Sequence, residues 1–145
     1  MVFQIKESSK QLPHVISNEM LLEKALVTFL CDSYEGLNEE SDQEVLRLSK
    51  KLAPYKIAFA GSASTDELSQ NLKDLALLLS KKIRKNGISV LNLPDVCSMN
   101  IEEQIRRNDA FGIPYTIILN EATLNDGVIG IRSRDTTLKV KILKN

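Results

Sequence analysis

The amino-acid sequence predicts an α/β domain whose sheet has a parallel portion, with antiparallel strands added at one side. Between residues 55 and 119, apolar runs of strand length alternate with stretches of helical period, which is typical of strand–helix–strand crossovers. Two more strand-like runs follow residue 127 with no helical stretch between them, which indicates antiparallel pairing. A chain of 145 residues is long enough to bury a sizeable core in one domain.

The bulk composition is that of a soluble globular protein. The formal net charge is zero, with 43% hydrophobic and 26% charged residues, so a nucleic-acid role requires local clustering of basic side chains. No apolar run approaches the ~18 residues of a membrane span, and no membrane partner is expected. The first residues have neither a signal-peptide nor a transit-peptide pattern, because Glu7 and Glu19 interrupt them.

Residues 1–44 are predicted to form an N-terminal arm, a helix and an acidic linker, and residues 45–145 the α/β domain. The helix is expected to run from about Asn18, a suitable N-cap, to about Tyr34, and its apolar stripe at helical spacing is Leu22, Ala25, Leu26, Phe29 and Leu30. Five acids and no base occupy Glu35–Glu44, which is typical of a solvated linker or, less often, of an anionic surface.

Capping and turn residues separate the predicted elements of the α/β part. Strands are expected at Val45–Leu48, Tyr55–Ala60, Ile88–Leu93, Tyr115–Leu119, Val128–Arg134 and Leu138–Ile142. Helices are expected from Ser64 or Thr65 to Gly87 and from Asn100 to Phe111, with Gly112 as the stop. The tripeptide Asn125–Asp126–Gly127 predicts an exposed hairpin turn, because these residues tolerate the positive φ that tight turns need.

The last turn of the first of these helices is strongly basic, with Lys81, Lys82, Arg84 and Lys85. Cations at this position complement the negative end of the helix dipole. Contact with nucleic acid is the alternative interpretation.

The sequence predicts no catalytic residues, no metal site and no cofactor. His14 is the only histidine, so zinc sites and histidine-based triads have no support. Cys31 and Cys97 lie far apart and are expected to be free thiols. The turn Gly61–Ser64 lacks the lysine and further glycines of a phosphate loop; an ordinary strand-to-helix turn is expected there, and an anion at the helix start is the alternative.

A cluster of basic residues near the C-terminus is the strongest candidate for a binding site. From Val128 onwards there are five basic residues against the single acid Asp135: Arg132, Arg134, Lys139, Lys141 and Lys144. On adjacent antiparallel strands, Arg132, Arg134 and Lys139 share one face, and arginine forks match phosphate oxygens. The equally weighted alternative is an edge strand that its lysines protect from aggregation.

Several stretches resemble the anticodon-binding domain of class II aminoacyl-tRNA synthetases, above all its glycyl and prolyl branch. They are Leu52–Ala58 (LAPYKIA), Phe111–Ile117 (FGIPYTI), Asp126–Gly127 and Ile131–Thr137 (IRSRDTT). The similarity covers about residues 45–142. The LAPYK and GIPYT pieces are shared across the superfamily, whereas RSRDTT is more specific and is most similar to the C-terminal domain of accessory subunits of mitochondrial DNA polymerases.

The resemblance implies a five-stranded mixed sheet flanked by helices and a non-catalytic, mitochondrial role. Such a domain is expected to bind the polymerase catalytic subunit and to support its grip on primer–template or other double-stranded DNA, which raises processivity. The implied nucleic-acid contacts are Arg132, Arg134, Lys139 and Lys141. The implied contact with the protein partner is the turn Asn125–Asp126–Gly127, and Asp135 is expected to brace its neighbours.

The resemblance also implies an alternative, the tRNA anticodon-binding domain of a glycyl- or prolyl-type synthetase. A weaker similarity reaches back to residue 20, where active class II enzymes have a Gly-rich helix whose arginine binds ATP. Here Lys24 occupies that position without the glycines, and lysine lacks the planar fork of arginine. This difference favours the polymerase role. A protein-interaction domain that has lost nucleic-acid binding is a third alternative.

Overall fold

The central feature of the fold is a five-stranded sheet. The computed structural model describes residues 14–37, 43–92 and 96–143, with the side chains of 141–143 left out. In chain order the elements are α1 (Leu22–Ser33), β1 (Tyr34–Glu35), β2 (Val45–Leu46), β3 (Ile57–Gly61), α2 (Asp66–Lys85), β4 (Val90–Leu91), α3 (Ile101–Ala110), β5 (Tyr115–Leu119), α4 (Glu121–Asp126), β6 (Val128–Ser133) and β7 (Lys139–Leu143).

The strand order of the sheet is β4-β3-β5-β6-β7, and a separate two-stranded sheet pairs β1 with β2. The first three strands are parallel, while β6 and β7 are antiparallel. This confirms the predicted mixed sheet and its five strands. We call the edge where the parallel strands begin the lower edge; Val90, Ile57 and Tyr115 pair there, with Ser133 beyond. The opposite edge, where Gly61 pairs with Leu119, is the upper edge.

Helix α2 covers one face of the sheet and contributes Leu72 and Ala76 to the core. Its start is set by the Thr65 side chain, which accepts a hydrogen bond from the Leu68 amide at 3.3 Å. Leu72 is fully buried in a cluster with Phe59, Ile117 and Leu119, and burying a leucine is worth roughly 1.5–3 kcal/mol. The helix ends before Gly87, whose φ of 77° lies in the left-handed region that glycine favours.

Helix α3 lies on the other face and packs through a polar side. Gln104 is fully buried, accepts from the Gly61 amide at 3.1 Å and donates to the Gly61 carbonyl at 2.8 Å. Asn108 is equally buried and donates to the Phe59 carbonyl at 3.4 Å. Because these amides satisfy backbone groups, a helix with few apolar residues can still pack against the sheet.

The predicted hairpin turn at Asn125–Asp126–Gly127 is wrong, because the short helix α4 connects β5 to β6. Asn120 and Thr123 form a reciprocal capping box that starts a helical turn. Gly127 then ends α4 with a φ of 69°. The glycine therefore does take the positive φ that its sequence context predicted, but as a helix stop.

The N-terminal elements differ from the prediction in their bounds. Helix α1 begins at Leu22 and not near Asn18, and its N-cap position makes no side-chain cap hydrogen bond. The predicted acidic linker starts inside β1, which pairs with β2, and Glu35 forms an ion pair with Arg47 at 2.6 Å.

Several other boundaries also shift by a few residues. Strand β3 starts at Ile57, two residues later than predicted, and β4 is shorter than the predicted Ile88–Leu93. In the part of the chain that is described, no helix is long and apolar enough to cross a membrane. Both cysteines lie in that part and are free thiols.

Candidate nucleic-acid and partner surfaces

Arg134 lies at the lower end of β6 and is buried, with 4% of its surface exposed. Its guanidinium uses all five of its N–H donors within the chain. Nη1 donates to the carbonyls of Leu46 (2.8 Å) and Gly112 (3.0 Å), and Nη2 to that of Leu48 (2.9 Å). Nε (2.9 Å) and Nη2 (2.7 Å) both donate to Oδ1 of Asp135, which confirms the predicted bracing role of that acid.

Gly112 makes this arrangement possible. Its φ of 73° is left-handed, and a Cβ added there would lie 3.1 Å from Cδ2 and 3.3 Å from the carbonyl oxygen of Leu46. Only glycine therefore lets the β2 strand approach the end of α3 so closely. We call this set, Arg134 and Asp135 with the carbonyls of Leu46, Leu48 and Gly112, the arginine junction. It fastens the β1–β2 unit to the main sheet.

Arg132 is also inside the protein. It is 8% exposed, and its Nη1 lies 2.9 Å from Oδ1 of Asp109, which is 2% exposed and belongs to α3. Burial raises the pKa of the Asp109 carboxyl, although the hydrogen bond and charge of Arg132 act in the opposite direction. The ion pair locks α3 to the centre of the antiparallel part of the sheet.

The prediction that Arg132 and Arg134 lie on an exposed cationic face is therefore wrong. Strand spacing correctly placed both residues on one side of β6, but that side is covered by the C-terminal end of α3 and by β2. Buried charges require partners, because desolvation of an unpaired guanidinium is costly. Asp109 and Asp135 are those partners.

Lys139, the third residue of the predicted cationic face, is exposed to solvent. It pairs in register with Arg132, and Lys141 pairs with Gly130, so the two lysines share one face of β7. The Lys141 side chain lies outside the described part. Lys139 lines a groove of about 410 Å³ beside Asp126, with Ile118 and Gly130 among its other lining residues. The structure thus brings Lys139 together with one residue of the predicted partner-binding turn.

The predicted partner-binding residues lie at the end of α4. Asn125 and Asp126 are exposed, and Gly127 is half-buried. Their accessibility is compatible with protein contact, which remains a prediction.

The family model of the anticodon binding domain matches residues 38–144. The chain belongs to this family. The resemblance seen in the sequence motifs, and the fold that it implied, are confirmed.

Individual relatives fall into two groups. The chain is 33% identical to the mitochondrial DNA polymerase subunit gamma-2 of Drosophila melanogaster over 130 residues, which cover 87% of this chain and 35% of that protein. It is 34% identical to DNA polymerase subunit gamma-2 of Bos taurus, covering 88% of this chain and 27% of that protein. It is also 34% identical to glycine–tRNA ligase of Malacoplasma penetrans, covering 95% of this chain and 29% of that protein. The chain thus spans about a third of the length of these relatives.

In this anticodon-binding domain, the turn that precedes α2 does not offer a free anion site. The Glu121 carboxylate accepts from the Ser64 amide at 3.2 Å and from the Ser64 hydroxyl. The internal carboxylate occupies the position that an external anion would take. Among the described residues, no three His, Cys, Asp or Glu side chains form a group that could hold a metal ion.

The sequence analysis missed an exposed apolar surface on α1. Its apolar stripe reads as a buried face, yet only Ala25 is buried. Leu22 is 81% exposed and Leu26 57% exposed. A groove of about 340 Å³ runs along this face, lined by Leu26, Phe29, Leu30, Leu46, Leu48, Leu52, Pro54 and Phe111. Helical periodicity identified the stripe correctly, but it does not reveal what covers it.

Proposed function

We propose that this chain is a domain of an accessory subunit of a mitochondrial DNA polymerase. In this role it binds the catalytic subunit and supports binding of primer–template DNA. The observation that carries the proposal is the similarity to polymerase gamma-2 subunits of a fly and a mammal across nearly nine-tenths of the chain. The proposed role needs no catalytic residue in this chain and places the protein in the mitochondrion.

The exposed face of α1 supports a protein partner. Leu26 lines the apolar groove, and Leu22, Leu26 and Val27 of α1 are each more than half exposed. Contiguous apolar surface of this kind is typical of interaction sites. Asn125, Asp126 and Gly127 at the end of α4 are a second proposed contact.

The mechanism is one of linkage. A domain that contacts both the catalytic subunit and the DNA adds a second attachment to the same complex, so dissociation of either contact alone does not release the polymerase. Processivity rises without a change in the chemistry of nucleotide addition. Lys139 and Lys141 on β7 are proposed DNA contacts. Arg132 lies on the same face but is buried in its ion pair with Asp109.

The test is co-purification followed by primer extension. A mitochondrial polymerase catalytic subunit is expected to be retained on the immobilised chain, and its products to lengthen when the chain is added in excess. Leu22→Ser is expected to reduce retention, whereas Leu138→Ser is the matched control because Leu138 is a similarly exposed leucine (67%) on another surface. No retention and no change in product length would remove the proposal.

A second candidate function is tRNA anticodon binding, which the similarity to glycine–tRNA ligase supports. In that function the arginines on the β6 strand are expected to help read the anticodon. Every N–H of Arg134 is already used inside the chain, which argues against it. A gel shift that compares tRNA with primer–template DNA discriminates the two, since preferential retardation of tRNA supports only the synthetase-type role.

A further inference from the structure

The zero net charge of the chain conceals a separation of charge between the two edges of the central sheet. Three of the chain segments that reach the lower edge are residues 48–57, 81–90 and 111–115. Together they contain seven cations and no acid, namely Lys50, Lys51, Lys56, Lys81, Lys82, Arg84 and Lys85.

Specific contacts hold these segments against one another. The Lys56 amide donates to the Ser89 carbonyl at 2.9 Å, which joins the loop before β3 to the loop after α2. The Lys56 ammonium donates to the carbonyls of Lys50 (2.5 Å) and Ala53 (2.7 Å), so it fixes the conformation of its own loop. The Lys50 ammonium lies 5.1 Å from the centre of the Tyr115 ring, at the start of β5.

Some of these cations are already engaged within the protein. Arg84 donates to the Val90 carbonyl at 2.7 Å, and Lys50 lies 3.9 Å from Asp135. Asp135, in the loop between β6 and β7, also lies at this edge, and the arginine junction holds it. The side chains of Lys51, Lys81, Lys82 and Lys85 are exposed. We call these four lysines the basic edge.

The upper edge has the opposite charge. Three segments that reach it, residues 61–68, 96–103 and 119–128, contain six acids and no base, namely Asp66, Glu67, Glu102, Glu103, Glu121 and Asp126, while β7, which also ends there, has Lys141. Both α2 and α3 start at this edge and run towards the lower one. Acids at helix starts and cations at helix ends complement the helix dipoles, which accounts for part of the separation.

Helix-dipole complementation does not account for all of it. Lys50 and Lys51 belong to a loop and cap no helix, yet they add to the positive charge at the lower edge. Whatever its origin, a surface with several exposed cations attracts polyanions, and an opposed negative surface orients the molecule during approach.

We propose that the basic edge binds the phosphate backbone of a nucleic acid, with the acidic upper edge turned away from it. The inference rests on the proposed function for the identity of the nucleic acid, which is then duplex DNA. It moves the main phosphate contact away from the buried arginines of β6 to lysines at the end of α2 and in the loop before β3.

The test measures binding of the full chain to a fluorescein-labelled DNA duplex, and in a parallel arm to tRNA, across a series of salt concentrations. The variant Lys82→Ala/Lys85→Ala is compared with Lys73→Ala/Arg106→Ala, which removes the same charge from α2 upstream of its last turn and from an exposed position on α3. Loss of two phosphate contacts lowers the slope of log affinity against log salt by about 2 and weakens binding roughly tenfold or more. The matched control is expected to bind like the unmodified chain, and thermal melting checks that both variants fold.

Three results overturn the inference: absence of binding at low salt by the unmodified chain, an unchanged slope in the Lys82/Lys85 variant, or an equal loss in the matched control. Loss in the control alone also overturns it, because the phosphate contact would then lie outside the basic edge. Polymerase retention is measured without DNA, so failure of retention contradicts the proposed function and leaves this inference intact. Retention of the polymerase together with no binding to the duplex contradicts only this inference. Stronger binding to tRNA than to the duplex keeps the basic edge and changes its ligand.

Discussion

Two cationic regions of this molecule differ in their exposure to solvent. Arg132 and Arg134, on and directly after β6, are buried with carboxylate and carbonyl partners, while the lysines of the basic edge are exposed. The difference teaches that cationic charge in a sequence does not identify a binding surface. Arginine suits the interior because its planar fork can satisfy several acceptors at once, whereas a strongly hydrated ammonium favours solvent.

The largest effect is expected from Arg134→Met. It removes a guanidinium that joins three backbone carbonyls and Asp135, and it leaves those groups without donors. Loss of one member of a buried charged network costs about 3–5 kcal/mol. Chemical denaturation measures the free energy of unfolding. Arg134→Lys is the control for charge alone, and if it restored full stability, the fork geometry would not matter.

The pair Arg132–Asp109 gives a pH-dependent test of the same region. Burial already raises the pKa of Asp109, so the folded state binds its proton more tightly than the unfolded chain does. Stability from this group therefore falls as pH rises from its ordinary value through the raised one. Arg132→Met removes the attraction that lowers this pKa, and so it is expected to destabilise more at pH 7 than at about pH 4.

Asp109→Asn is the control for that pH profile. It leaves Arg132 charged without a carboxylate partner and has no titrating group at position 109. Its destabilisation, about 3 kcal/mol for a broken buried pair, is expected to shrink as pH rises over the same range, because only the unmodified chain loses stability through Asp109 there. Parallel pH profiles for the two variants would contradict the assigned role of Asp109.

Much smaller effects on stability are expected at the basic edge. Lys82→Ala/Lys85→Ala weakens only the interaction of cations with the end of α2, worth about 0.3–1 kcal/mol for each residue at most. Its melting temperature is therefore expected to fall by a few degrees or less. A loss comparable to that of Arg134→Met would show that these lysines have structural partners and would break the contrast between the two regions.

The smallest effect is expected for Lys139→Ala. Lys139 is exposed on β7, and surface substitutions away from buried networks usually change stability by less than about 0.5 kcal/mol. Denaturant midpoints of this variant and the unmodified chain should coincide. Salt-dependent DNA binding of the same variant then reports on the proposed β7 contact without interference from unfolding.

The parts of the fold that the sequence predicted best have strong local signals. Strand β5 is observed at its predicted residues, Tyr115–Leu119, because a continuous apolar run follows Pro114. Helix α2 has its cap at Thr65 and its stop at Gly87, both from residues with specific backbone preferences. Such features depend on neighbours in the sequence and need no knowledge of tertiary contacts.

The parts that were missed depend on contacts distant in the sequence. The burial of Arg132 depends on Asp109, 23 residues away, and the polar side of α3 reads as a solvent face until Gln104 and Asn108 are placed against the sheet. The hairpin prediction failed for a local reason, since Asn120 and Thr123 were not weighed as a capping pair. In α1, by contrast, an apolar stripe that the sequence suggests is buried lies exposed. Apolar periodicity identifies which residues share a helix face, but not whether that face is buried.

The arginine junction has a consequence for how the chain acquires its fold. The bond between Arg134 and the Leu46 carbonyl links positions 88 residues apart, so the β1–β2 unit cannot be fastened to the sheet until synthesis has passed residue 134. Contacts of such long range form late and slow the search for the native state. Until then β1 and β2 lack this attachment, a period in which chaperones and proteases have access to them.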